Sequence, residues 1–126
     1  MRGSVGDVCV FVSPFYDIVK KQNAFKSRPS LIIGIADTGD YNILPISKVT
    51  DRRHLDIDYD VPVCPSVYPN LNLHSPSYVR VHKQTAFHDK ALHQVLSNMK
   101  AAYSELYLSI MVKLEGYNKK LIENAL

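Results

Sequence analysis

The chain predicts a mainly β fold: a small, strongly curved antiparallel sheet, closed or capped by a C-terminal helix. Two observations carry this expectation. Up to about residue 87, short apolar, β-branched runs alternate with Gly, Pro and Asp turns. From His88 onward the apolar residues recur every three and four positions instead. Strands followed by one helix describe a sheet covered on one side.

Each element follows from local chemistry. Asp7 to Ser13 is apolar and β-branched and Pro14 closes it, so it reads as a first strand. Pro14 to Arg28 has no strand period and no full amphipathic helix, and reads as a long connection. Ser30 to Ala36 and Tyr41 to Ser47 flank Asp37-Thr38-Gly39-Asp40 and predict a β-hairpin, with a bend or bulge at Gly34 and Pro45 near the end of pairing. Leu55, Ile57, Tyr59 and Val61 alternate with Asp56, Asp58 and Asp60, predicting a half-exposed strand within Asp51 to Val63. Prolines 62, 65, 69 and 76 make residues 62–76 an irregular loop.

Ser77 to Gln84 predicts a strand with Val79 and Val81 on one face and Tyr78, Arg80, His82 and Gln84 on the other, and Thr85 to Phe87 extends it. Residues 89–95 suggest a short helical turn. Ser97 is the expected N-cap of a helix reaching about Leu114 on a stripe of Met99, Ala102, Tyr103, Leu106, Ile110, Met111 and Leu114. Gly116 is the expected C-cap, with 115–126 a helical appendage. Met1 to Ser4 resembles an expression leader and carries no weight in this prediction.

The 126 residues make one domain by size. Apolar runs are too short to span a bilayer and no signal-type start is seen, so a soluble, cytoplasmic protein without membrane contact is expected. Cys9 and Cys64 lack metal-ligand spacing and read as buried or idle thiols, and no metal or other cofactor is expected. Walker, GxGxxG, GxSxG and HExxH patterns are absent, which removes the sequence marks of nucleotide-fuelled, triad and zincin chemistry. The net charge of +3, with a pI near 8.8, leans towards a polyanionic partner. Basic residues cluster at Lys20-Lys21, Lys26-Arg28, Arg52-Arg53 and Arg80-Lys83 among Phe15, Tyr16, Phe25 and Tyr41, the pairing of charge and flat rings that single-stranded nucleic acid needs. Arg80 beside His82 supplies a fixed cation and a group that titrates near neutrality, a pair suited to a phosphodiester.

Four short motifs, in order, resemble the PemK/MazF toxin family: Gly6-Asp7-Val8, Lys26-Ser27-Arg28-Pro29, Leu44-Pro45-Ile46-Ser47 and Ser77-Tyr78-Val79-Arg80. The likeness covers about residues 6–114. It implies a five-stranded SH3-like barrel with a C-terminal helix, a homodimer, metal-independent and sequence-selective cleavage of single-stranded RNA, and neutralisation by a cognate antitoxin. It places Arg28 facing substrate phosphate, Ser47 where the family has a Thr or Ser hydroxyl at the scissile region, Arg80 where some members use an Arg for proton transfer or charge stabilisation, and His82 where those members carry an Asp as general base. The longer loop from Pro14 to Ser27 departs from the family pattern.

Cleavage through the 2′-hydroxyl needs a base, a phosphate stabiliser and a proton for the leaving oxygen. His82 is the expected base, Arg28 and Arg80 the stabilisers, and Ser47 a hydroxyl contact. Phe15, Tyr16, Lys20, Lys21, Lys26, Tyr41 and Gln84 are the expected RNA-binding residues. The competing readings are a non-enzymatic binder on the same barrel, either a gyrase poison like the CcdB toxins or a nucleic-acid-binding module, and a degenerate toxin. The absence of Trp and the polar ending Glu123-Asn124 argue against the gyrase poison.

Overall fold

A computed structural model describes residues 2–126. The strands are β1 (Asp7–Asp17), β2 (Gln22–Ile35), β3 (Asp40–Ser47), β4 (Asp60–Val63), β5 (Ser77–Arg80), β6 (Thr85–His88) and β7 (Leu92–Asn98), followed by helices α1 (Met99–Ala102) and α2 (Ser104–Ala125). All the pairings are antiparallel, in the order β4-β5-β3-β2-β1-β7, with β6 also on β3. The first half of β3 pairs with β6 (Tyr41 opposite Phe87) and its end with β5 (Ile46 opposite Val79). Between β5 and β6, a 3₁₀ turn at Val81–Lys83 interrupts what the sequence predicts as one strand. The β2–β3 hairpin forms as predicted, with a register shift between Ile32 and Gly34 and pairing that ends at Ser30 opposite Pro45.

The expected long connection after Ser13 is instead a hairpin arm. β1 runs on to Asp17 and β2 starts at Gln22, with pairs from Val10–Pro29 to Asp17–Gln22. Both faces of the arm are largely exposed, so no period of two marks it in the sequence. Asp17 holds the turn, its carboxylate accepting from the Val19 and Lys20 amides at 3.0 and 3.1 Å, with Lys21 at φ 53°.

Other boundaries shift too. Of residues 51–63 only Asp60–Val63 is strand, and Arg52–His54 is a 3₁₀ turn capped by Asp51. The expected helical turn at 89–95 shrinks to a 3₁₀ turn at Asp89–Ala91, and β7 follows. Bulges between Val8 and Cys9 and between Val10 and Phe11 break the register of β7 on β1, which hides its alternation. Asn98, rather than Ser97, caps the helix, its Oδ1 accepting from the Ala101 amide at 2.8 Å. The helix breaks at Tyr103 (φ −140°, ψ 69°) and then passes through Gly116 without stopping, so residues 115–126 continue α2.

Successive residues feed two cores on the two sides of the sheet. Val8, Leu31, Leu44, Ile46 and Val79 meet Met99, Leu106, Tyr107 and Ile110 from the helices. Their sequence neighbours Cys9, Ile32 and Ile43 point the other way and join Phe11, Tyr41 and Leu92, with Phe87 and Ala91. Cys9 is a free, buried thiol, pushed up to about 12 by its burial and by Asp7. Cys64 is free and half-buried, and a hydrogen bond with Ser66 lowers its thiol pKa. None of the helices described is long and apolar enough to cross a membrane.

Of the segment set aside as a leader, Met1 lies outside the described residues and Gly3 packs against the second core. A side chain on Gly3 would come within 2.7 Å of Ile32 Cδ1 and 3.1 Å of the Tyr41 ring, which is why glycine stands there. The Gly3 amide donates to the Tyr41 hydroxyl at 2.8 Å, that hydroxyl donates to Asp89, and the Arg2 guanidinium donates to the Asp89 and Leu92 carbonyls. The Tyr41 bond is the main cause holding the Asp89 carboxyl below its usual range. Tyr41→Phe leaves the Gly3 amide unpaired, and urea unfolding should show a loss of about 1–3 kcal/mol at neutral pH. A depressed carboxyl stabilises above its unfolded pKa and stops doing so as pH falls through its folded pKa. The gap between wild type and Tyr41→Phe should therefore narrow below about pH 4.

Candidate functional site: a basic furrow of adjoining cavities

Asp60 anchors the best-defined polar cluster. Its side chain is wholly buried at the start of β4, opposite Arg80 on β5. The Arg80 Nε donates to Asp60 Oδ1 at 3.0 Å, and the Asp56 amide donates to Oδ2 at 2.8 Å. One Arg80 terminal nitrogen donates to the His54 carbonyl at 3.1 Å and stands 3.5 Å from His82 Nε2. A guanidinium has no acceptor, so a hydrogen bond across that gap would have Nε2 as its acceptor, which leaves Nδ1 as the ring's other nitrogen. That nitrogen faces Asp60 Oδ1 at 3.8 Å, beyond hydrogen-bond reach, and is buried without a hydrogen-bond partner among the described residues. The Tyr59 ring, 6.3 Å away between centroids, flanks His82.

His82 and Arg80 open onto a cavity of about 400 Å³ walled by Arg53, His54, Leu55, Asp56 and Lys83. On its other side, His82 lines a second cavity of about 580 Å³, with Asn42, Gln84, Thr85, Tyr117 and Asn118. Thr85 in turn borders a cavity of about 280 Å³ with Phe11, Lys26, Arg28, Pro45 and Phe87. Arg28 then borders a fourth, about 300 Å³, with Ser47, Lys48 and Ser77. Successive cavities of this furrow share a lining residue, His82, Thr85 or Arg28, but Asn42 and Ala86 line the second from the α2 side of the sheet whereas Phe11 and Phe87 line the third from the other side. Six cations line them (Lys26, Arg28, Lys48, Arg53, Arg80 and Lys83) against one carboxylate, Asp56.

The four expected catalytic side chains therefore fall into two pairs: Arg80 with His82 at one end of the furrow, Arg28 with Ser47 at the other. Register explains the second pair. Ser30 faces Pro45 across β2 and β3, so Arg28 and Ser47, each two residues further on, point to the same side. Lys26 lies within the furrow and Gln84 lines its largest cavity.

Phe15, Tyr16, Lys20 and Lys21 sit on the hairpin arm beyond the furrow, where Tyr16 is exposed and the Lys26 ammonium lies 4.4 Å over the Phe15 ring. Tyr41 does not stand as a base-stacking residue: its ring is completely buried in the second core. Sequence reasoning missed Asp60, because Asp56 and Asp58 share its alternation and only the pairing with Arg80 sets it apart. Lys48, Thr85 and Tyr117 were missed because their walls form only in the folded chain.

No protein-family model and no curated protein matches the chain.

Removing one partner of a buried ion pair strands the other. Arg80→Ala should lower stability by about 3–5 kcal/mol in a denaturant titration, whereas an Asp60→Asn, Arg80→Ala double variant should recover part of that loss, since no charge is then left buried.

Proposed function

We infer that the chain is a metal-independent endoribonuclease that cuts single-stranded RNA, a toxin-type enzyme on an SH3-like barrel of the PemK/MazF kind. One observation carries this reading: the cavities hold an Arg–His pair and an Arg–Ser pair within a basic wall of six cations. A polyanionic strand fits such a wall, and the half-buried Tyr117 and Phe87 rings beside it give bases a surface to lie on.

Arg80 is fixed through Nε on Asp60, so its outer nitrogen has a defined place from which to meet a phosphate oxygen. Drawing that nitrogen towards phosphate releases the His82 Nε2 lone pair. His82 then takes the proton of the 2′-hydroxyl while O2′ bonds to phosphorus, and the bond from phosphorus to O5′ breaks as O5′ takes a proton from solvent water, the imidazolium afterwards returning its proton to solvent. The products are a 2′,3′-cyclic phosphate and a 5′-hydroxyl end. Arg28, with Ser47 beside it, holds the neighbouring phosphate and so fixes the strand's direction. A cognate antitoxin that covers the furrow would silence the enzyme by occupying the same cations.

Incubation with a long unstructured RNA in EDTA should give cuts at a short recurrent sequence with cyclic phosphate ends, and His82→Ala should be slower by roughly 10²- to 10⁴-fold. Retarded RNA mobility without any cutting would instead favour a nucleic-acid-binding module, and equal cutting by both proteins would remove His82 from the base role.

A further inference from the structure

The tip of the β1–β2 arm shows to water what a folded chain ordinarily buries. Ile18 and Val19 stand side by side at the turn, 80% and 92% exposed, and neither belongs to a core. Behind them, Tyr16 and Phe25 are each more than half exposed. Register puts these two rings on one face of the arm, because Phe25 pairs with Pro14 and Pro14 lies two residues from Tyr16 on the same strand. Lys20 and Lys21 follow Val19 directly and are exposed, as is Lys26 on the other face. Residues 12–27 hold three lysines against one carboxylate, Asp17, which is turned in on the Val19 and Lys20 amides. Apolar residues scattered singly over a surface need no explanation, whereas four gathered on one basic projection do.

We propose that the arm docks reversibly on an anionic membrane surface, with Ile18 and Val19 at the boundary between headgroups and acyl chains. Three features select this partner. Aliphatic side chains gain from an apolar medium and offer no flat face to a base, so the leading end of the arm suits lipid better than a single nucleic acid strand. Lys20 and Lys21, next to that end, meet the negative headgroups as the tip enters. Tyr16 and Phe25 lie one and three residue pairs behind the last pair of the ladder, Asp17 with Gln22. That is roughly 3 and 10 Å back along the arm, the depth at which aromatic rings settle among headgroups. The turn is also prepared for a region poor in water, since the Asp17 carboxylate already satisfies two of its amides. Run length, which excludes a spanning segment, does not bear on an arm that only enters the interface. The proposal moves Tyr16, Lys20 and Lys21 from RNA to lipid, and it does not rest on the nuclease reading.

Co-sedimentation with sucrose-loaded vesicles in EDTA tests it, comparing phosphatidylcholine alone with phosphatidylcholine containing phosphatidylserine. Wild type should pellet with the anionic vesicles, half bound at lipid on the order of 1 mM, and bind phosphatidylcholine alone at least about tenfold more weakly. Lys20→Gln with Lys21→Gln should lower anionic-vesicle binding by about twentyfold, each lysine beside such a surface contributing about fivefold. Ile18→Ser with Val19→Ser should lower it by about tenfold or more. All four side chains are exposed, so circular dichroism should show unchanged folding. The chain has no Trp, so Val19→Trp reports the tip alone, and its emission should shift to the blue on anionic vesicles. A wild type left in the supernatant at about 10 mM lipid, ten times the expected midpoint, overturns the proposal. A serine variant that pellets as well as wild type, or a Val19→Trp emission that does not move, overturns it by taking the tip out of the contact. Serine substitutions that weaken single-stranded RNA binding and leave vesicle binding unchanged overturn it in favour of RNA. Vesicle binding and RNA cutting are separate readouts, so either reading can fail without the other.

Discussion

Strand β3 is the constraint on which the remaining architecture depends. Its eight residues are bonded along one edge by β2 and along the other by β6 and then β5. Serving two strands on one edge requires the chain to leave that edge after Arg80 and rejoin it at Thr85, and the 3₁₀ turn at Val81–Lys83 does this. The turn carries His82 to the wall between the two largest cavities of the furrow while Val81 stays in the core. One packing requirement thus places the imidazole and creates the space on both sides of it.

The polar cluster depends on the same arrangement. Asp60 is buried because β4 pairs with β5, and a buried carboxylate requires partners. Arg80 and the Asp56 amide provide them, which holds the guanidinium beside His82. The Asp–Arg pair is therefore both a stability element and the positioning device for the imidazole, and disturbing either residue moves the other.

Sequence patterns announced the segments whose apolar residues stand out against polar turns and flanks. The β2–β3 hairpin was legible from Asp37 to Asp40 and from Gly39, whose φ of 86° suits a glycine. The closeness of Arg80 and His82 was expected from a strand alternating with Val79 and Val81, but it arises instead from the 3₁₀ turn that follows Arg80. Where that contrast fails, so did legibility: the arm beyond Val12 is wet on both sides, and β7 loses its period at two bulges. Gly116 suggested an end to the helix, but good helix formers on both sides carry α2 through it. The site residues were legible as types, and their division into two pairs was not, because that follows from strand register between segments far apart in the chain.

The β1–β2 arm differs in kind from the sheet it extends. From Val12 to Ser27 it is held by ladder hydrogen bonds, with no residue in either core. Its amides should open from the tip inward, independently of the slow, global exchange of β3. Insertions, deletions and substitutions in it are therefore nearly uncoupled from folding. Apart from Lys26, which lines a cavity of the furrow, it is the part of the molecule that selection can rewrite fastest, and related chains should diverge there first in length and composition while the strands beneath keep their pattern.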